Sequence, residues 1–265
     1  MLKPRIIPIL LIHNGGLVKT KRFKSPKYIG DPLNTVRIFN DKQVDELIIC
    51  DIDSTVKGKD PNYDLITNLA AECRMPICYS GGLKNLEQID RIISLGVEKV
   101  ALGSSASLSP ELISKASSQV GSQSIVAVLD IKKTGLRRNY EVFINNGKIK
   151  TGKNPFDLAK SFESLGAGEI LVNSIDNDGM MNGYDLELIS MIRDVVNIPI
   201  SVSGGAGCLD DIKSLINKFK LIGACAGSIF VFKGKYKAVL IQYPNPLQRS
   251  YLFSENQFFE KGSNS

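Results

Sequence analysis

Histidine is almost absent from this chain: its 265 residues include one, His13. A histidine-rich metal centre is therefore excluded, and a Ser-His-Asp triad would have to rest on His13 alone, whose neighbours Asn14-Gly15-Gly16 read as a turn. Cysteine is scarce as well. Cys50, Cys73, Cys78, Cys208 and Cys225 are odd in number and form no C-x-x-C, which points to a reducing, cytoplasmic compartment and no disulfide framework. No apolar stretch is long enough to span a bilayer, so no membrane role is expected. The apolar run after Lys3 and Arg5 is short, contains Pro8 and lacks a small-residue cleavage site, and it reads as a strand rather than a secretion signal. Linkers and low-complexity stretches are missing too. Residues 1–265 read as one domain with a polar tail near 246–265, partly disordered beyond about residue 258.

What is present is the composition of a soluble globular protein, 43% hydrophobic and 23% charged, which is enough to bury a large core. The net charge of +6 suits an anionic ligand. Lys19, Lys21, Arg22, Lys24 and Lys27 crowd one segment, read as a loop that either meets a phosphate or is simply solvated. No aromatic residues interleave with these charges as nucleic-acid binding would require, and no nucleic-acid partner is expected.

The second half of the chain repeats the first. Ser80-Gly81-Gly82 is matched by Ser203-Gly204-Gly205, and Gly103-Ser104 by Gly227-Ser228, at offsets of 123 and 124 residues. Residues 46–53 match 169–176 at 123, and 6–12 match 125–131 at 119. In that last pair Leu11 stands where the other copy has Asp130. Short apolar runs near 5–12, 46–51, 76–79, 99–102, 124–130, 169–174, 199–203 and 221–226 have the Ile, Val and Leu content of strands buried on both faces. Helical patterns lie between them. Asp31-Pro32, Asn85, Ser109-Pro110-Glu111, Asn154-Pro155, Asp185 and Asp210 mark their starts, and the eighth helix is expected near 235–243. Eight strand–helix units with an internal half-repeat predict an α/β fold, a (β/α)8 TIM barrel made of two half-barrels. Tyr140–Lys150 alternates around Asn145-Asn146-Gly147 and reads as a β-hairpin inserted after the fifth strand.

Barrel chemistry gathers at the C-terminal ends of the strands. Gly81-Gly82, Gly103-Ser104, Gly204-Gly205 and Gly227-Ser228 follow the third, fourth, seventh and eighth strands. Glycines there let backbone N–H groups converge on an oxyanion, and the serine hydroxyls add donors. Two such sites half a turn apart predict a long ligand with a phosphate at each end. Its middle would lie over the ends of the first and fifth strands, where Asp130 is a candidate acid or base and Leu11 can transfer no proton. Asp51, Asp53, Asp176 and Asp178 belong to the same face. Asp176-Asn177-Asp178-Gly179 is a weak metal signal, and neither a metal nor a cofactor is expected. At the starts of the first, second, fourth and sixth strands stand Arg5, Glu46, Lys99 and Glu169, alternating in sign and able to pair with one another.

Several segments together carry a resemblance over nearly the whole length. They include Arg5-Ile6-Ile7-Pro8, Gly30-Asp31-Pro32, Gly166-Ala167-Gly168-Glu169-Ile170, Ser174-Ile175-Asp176 with Asp178-Gly179, and Ser203-Gly204-Gly205-Ala206-Gly207. The chain resembles the cyclase subunit of imidazole glycerol phosphate synthase. That resemblance implies a lyase-type synthase acting in histidine biosynthesis. It would convert phosphoribulosyl-formimino-AICAR phosphate and ammonia into imidazole glycerol phosphate and AICAR. The ammonia would come from a glutaminase subunit of the HisH type, docked as a heterodimer on the bottom of the barrel. Position by position, the resemblance implies that Asp130 is the strand-five carboxylate and Lys19 a mobile-loop lysine. It implies phosphate contacts at Gly82, Ser104, Asp178, Gly179, Gly205 and Ser228, and an ammonia gate of Arg5, Glu46, Lys99 and Glu169. The chain departs from the family where Leu11 replaces an aspartate, Ser80 a glycine and Gly103 an asparagine. Two other readings stay open. One is a paralogue that relays ammonia from a glutaminase to a sugar-modifying amidotransferase in lipopolysaccharide or O-antigen synthesis. The other, weaker, is the related single-subunit isomerase, which needs acid and base on strands one and five.

Overall fold

The structure is a computed structural model that describes residues 3–136 and 138–254. In the first half, β1 (Arg5–His13) is followed by a hairpin of β2 (Gly16–Lys21) and β3 (Lys24–Gly30), then α1 (Pro32–Asp41), β4 (Leu47–Asp51), α2 (Tyr63–Glu72), β5 (Ile77–Ser80), α3 (Leu86–Ser94), β6 (Lys99–Leu102), a short α4 (Ser104–Leu108) and α5 (Glu111–Val120). The second half runs β7 (Ile125–Thr134), β8 (Asn139–Ile144), β9 (Ile149–Lys150), α6 (Pro155–Ser164), β10 (Glu169–Ser174), α7 (Leu186–Arg193), β11 (Ile200–Ser203), α8 (Leu209–Phe219), β12 (Ile222–Ala226), a short α9 (Ser228–Val231), β13 (Phe232–Lys233), β14 (Ala238–Val239) and α10 (Pro246–Phe253). Parallel pairings run β1-β4-β5-β6-β7-β10-β11-β12, and β12 pairs back onto β1, which closes an eight-stranded barrel.

The sequence repeat survives at the level of element starts. Pro32 and Pro155, Tyr63 and Leu186, and Leu86 and Leu209 each open helices 123 residues apart. The caps are local and legible. Asp31 accepts from Asn34 N–H, Asn154 from Phe156 N–H and Asp185 from Leu188 N–H, and a proline occupies the first turn of both α1 and α6. Even the tight contacts recur. A Cβ on Gly81 would strike the Asp51 carbonyl, and one on Gly204 would strike the Ser174 carbonyl, in both cases at positive φ.

Alternation along each barrel strand splits the core in two. Ile6, Leu10 and Ile12 of β1 face the helices, where Phe39, Ile89, Ile92, Phe162 and Phe230 are fully or almost fully buried. Each such side chain contributes about 1.5–3 kcal/mol of burial. Ile7 and Ile9 face the barrel axis with Ile48, Cys78, Val126, Val128, Leu171 and Cys225. This apolar plug separates the two polar ends of the barrel.

The eighth unit breaks the repeat. No helix forms at 235–243; β13 and β14 form a small hairpin there, turning at Gly234 and Lys237, both with positive φ. The reason is local. Val239-Leu240-Ile241 are consecutive rather than spaced by three or four, and Pro244 would end any helix. The last helix is α10, opened by a capping box between Asn245 and Gln248 with Pro246 in its first turn. It packs on α8 and buries Leu252 completely, so residues 246–253 are not a polar tail. The expected disorder beyond residue 258 lies outside the described residues. The basic segment at 19–27 is likewise no loop but the β2–β3 hairpin, paired to the end of β1. The hairpin expected at 140–150 forms as β8 and β9.

Candidate active site

One cavity of about 410 Å³ opens at the C-terminal ends of the barrel strands. Lys19, Gly82, Gly103, Ser104, Asp130, Asp178, Gly179, Gly204, Gly205, Gly227 and Ser228 all line it, together with Leu11. In strand order the Gly81-Gly82 and Gly103-Ser104 loops lie opposite the Gly204-Gly205 and Gly227-Ser228 loops, and Asp130 stands opposite Leu11. Asp53 and Asp176 are not among the lining residues. Asp53 is taken up by His13, Lys57 and the Asn14 amide, and Asp176 accepts from Lys133 N–H. Among the described residues no group of three or more His, Cys, Asp or Glu side chains is placed to hold a metal ion.

The loops are held from behind. Asp51 accepts from Asp53 N–H, Ser54 N–H and the Ser54 hydroxyl, which fixes the turn after β4. Thr55 from that turn accepts from Gly82 N–H at 3.1 Å. Ser104 accepts from Asn145 N–H at 3.0 Å, and the Asn146 amide reaches Ile52 O at 2.6 Å, so the β8–β9 hairpin leans across the mouth. The β2–β3 hairpin covers the other side. Asp178 Oδ2 accepts from the Thr20 hydroxyl at 2.7 Å and from Phe23 N–H at 3.1 Å, while its carbonyl accepts from Arg22 N–H at 2.9 Å.

Lys19 is 6% exposed. Its ammonium donates to Ile9 O and lies where a Cβ on Gly227 would be. Burial pulls Lys19 down to about 8, against the charge of Asp178. Asp130 moves the opposite way. Burial pushes it up to about 7, a hydrogen bond from Asn173 opposes the rise, and Asp178 adds to it. Burial also raises Cys50 to about 12, so its thiol is no nucleophile at neutral pH. The cavity thus offers one carboxyl that titrates near neutrality, one buried ammonium, that of Lys19, and two sets of glycine loops. That arrangement can hold anions at both ends and move a proton in between.

The four charged residues of the opposite end form a closed ring. Arg5 pairs with Glu46 and, at 2.6 Å, with Glu169; Lys99 lies 3.0 Å from each of the same two carboxylates. Burial disfavours the charge on Arg5 and on Lys99, yet Glu169 and Glu46 outweigh it and hold both cations protonated. Burial likewise acts against the Glu169 carboxylate, and Arg5 and Lys99 outweigh it.

Sequence reasoning missed Asn173 and Ser201. Ser201 donates to Glu169 within the ring, and Asn173 donates to Asp130 at 3.0 Å. Both had a signal: they are the 123-residue counterparts of Cys50 and Cys78, polar residues at inward positions of otherwise apolar strands. Phe23, Lys84 and the hairpin tip at Asn145 and Asn146 also line the cavity, and no local pattern marks them.

Comparison with known proteins adds a family. The profile described as "Histidine biosynthesis protein" matches residues 5–237. A Leptospira borgpetersenii protein, provisionally named imidazole glycerol phosphate synthase subunit HisF, is 56% identical over 253 residues, covering 96% of this chain and all of the relative. A Pseudomonas aeruginosa protein, provisionally named subunit hisF2 of the same synthase, is 46% identical over 245 residues, covering 92% of this chain and 97% of the relative. The Natranaerobius thermophilus imidazole glycerol phosphate synthase subunit HisF is 38% identical over 233 residues, covering 88% and 92%.

Proposed function

Because the chain belongs to the histidine biosynthesis protein family that includes the HisF subunits, we propose that it is a cyclase-type synthase subunit. It binds a phosphorylated ligand with an anionic group at each end, of the phosphoribulosyl-formimino-AICAR phosphate kind, and uses ammonia from a glutaminase subunit. The observation that carries this reading is the pair of repeat-related glycine loop sets facing each other across one cavity with Asp130 in the arc between them. Lys19 and Asp178 serve the half of the site formed by Gly179, Gly204, Gly205, Gly227 and Ser228. Gly82, Gly103 and Ser104 serve the other. Asp130 is the proton-transfer group. Arg5, Glu46, Lys99 and Glu169 guard the ammonia path at the far end, and the apolar barrel interior suits a neutral molecule. Complementation of a histidine auxotroph lacking the HisF subunit tests the reading. Growth supports it; no growth, combined with growth of a Leu11→Asp variant, refutes it for the wild-type chain.

Leu11 favours a second reading. With no proton donor opposite Asp130, the barrel serves as a conduit that passes ammonia to a separate acceptor enzyme, such as a sugar-modifying amidotransferase of surface-polysaccharide synthesis. Under that reading Asp130→Asn leaves ammonia delivery intact, while Lys99→Ala or Glu46→Ala impairs it. The reverse pattern refutes it.

A further inference from the structure

Asn173 stands on β10 in parallel register with Asp130 on β7, and both side chains line the cavity. Its Nδ2 donates to Asp130 Oδ1 at 3.0 Å. Its Oδ1 is buried without a hydrogen-bond partner among the described residues. Tyr79 and Ser107 carry the other such atoms, and neither residue lines the cavity. An unsatisfied buried carbonyl is a cost to folding, so its presence calls for a compensating reason. Turning the amide over would set its oxygen against the Asp130 carboxylate, acceptor facing acceptor. The observed orientation is therefore the one that suits an ionised Asp130.

No other side chain among the described residues donates to that carboxyl. The ionisable groups that share the cavity are Lys19 from β2, Cys50 and Asp51 from β4, Lys84 after β5, Asp178 after β10 and Cys225 on β12. Lys19 is committed to the Ile9 carbonyl, Asp51 to its own turn and Asp178 to the β2–β3 hairpin. Leu11 offers no donor. We infer that Asn173 is a positioning residue for Asp130: its amide fixes the carboxyl in the cavity and supplies the one charge-assisted hydrogen bond that the carboxylate receives from a side chain.

This rests on the reading of Asp130 as the proton-transfer group. Burial and Asp178 drive Asp130 toward the neutral acid, and Asn173 pulls the other way, leaving it at about 7. A carboxyl poised there can take a proton in one step and return it in the next, which a barrel lacking a second carboxylate on β1 requires.

The test is an NMR titration of the full chain with 13C-labelled aspartate carboxyls, Asp130→Asn serving to assign the signal. Asn173→Leu removes the donor and should raise the Asp130 midpoint by about one to two pH units, the equivalent of a lost hydrogen bond to a charged group. Asn173→Ala makes the same prediction with less bulk, should the leucine variant fold poorly. Asn173→Thr keeps a donor in a strand-compatible residue and should leave the midpoint within about half a unit of wild type. With ammonium salts, the acid limb of kcat/KM should move by the same amount in the leucine variant and stay in place in the threonine variant. An Asp130 midpoint that does not move in Asn173→Leu or Asn173→Ala overturns the inference, as does an equal shift in Asn173→Thr. A midpoint that shifts as expected in a chain without turnover upholds Asn173's hold on Asp130 and counts against the cyclase reading alone.

Discussion

Replacing Lys99 by methionine isolates the energetics of the charged ring. Lys99 Nζ lies 3.0 Å from Glu46 Oε1 and 3.0 Å from Glu169 Oε2, and Arg5 holds the other oxygens of the same carboxylates. Two cations balance two buried anions. Without Lys99, both carboxylates depend on Arg5. Removing one partner of a buried ion pair costs about 3–5 kcal/mol, because the remaining charge is left without compensation. The Lys99 side chain is 19% exposed, so water relieves part of that cost and the lower end, about 3 kcal/mol, applies. At about 2–4 °C per kcal/mol for a domain in this size range, the Tm near neutral pH should fall by about 6–12 °C. The pH dependence has a definite sign. Burial opposes the Glu169 carboxylate, but Arg5 and Lys99 outweigh it and hold its folded pKa below the ordinary value. In wild type, that contribution is present above the unfolded pKa and is lost as pH falls through the folded one. Removing Lys99 raises the folded pKa, so mild acid supplies a proton that partly replaces the lost cation. The gap in Tm between variant and wild type should therefore narrow as pH is lowered from neutrality toward the glutamate range. Calorimetric scans at two pH values measure both effects. A Tm loss below about 1 °C, or a gap that widens in acid, would refute the reasoning.

Leu11→Asp restores a carboxylate opposite Asp130 and should raise ammonium-driven turnover of the family's bisphosphate by roughly 10²–10⁴-fold, the contribution expected of one general acid or base; an unchanged rate in steady-state assays contradicts the acid–base role given to that position. Turnover should follow a bell in pH, falling below about 7 as Asp130 takes up its proton and above about 8 as Lys19 loses its charge; a flat kcat/KM profile across that range counts against both roles. Gly227→Ala places a methyl group where the Lys19 ammonium lies, and should weaken inorganic phosphate binding by calorimetric titration while the circular dichroism spectrum is retained. Leu252→Ala empties a fully buried site between α10 and α8 and should cost about 2–5 kcal/mol in urea unfolding, whereas a residue of a loose tail would cost nothing measurable.

The barrel and the glycine loops that line its cavity were legible because their causes are local or periodic. The buried strands read as short apolar runs. Asp31, Asn85, Asn154 and Asp185 cap the helices they were expected to cap. The 123-residue repeat placed the glycine loops in equivalent positions without knowledge of any contact. The same repeat misled at the eighth unit, where a helix equivalent to α5 was expected and a hairpin stands. Symmetry carried the expectation further than the local pattern of Val239-Leu240-Ile241 allowed.

The residues that govern the site's chemistry were harder to read, because they act across strands. Asn173 meets Asp130 through the register between β7 and β10, which no single segment encodes. Ser201 joins the ring through the pairing of β10 with β11. Lys19 reads as one cation among several on a basic segment, and only the pairing of β2 with β1 turns it inward and buries it. By itself the sequence determined which groups are present: one carboxyl facing one leucine, two sets of glycine loops, and four charges at strand starts. The tertiary structure decided their states, since burial and neighbouring charge, set by strands distant in sequence, bring Asp130 and Lys19 to within reach of neutral pH and lock the four charges into a ring.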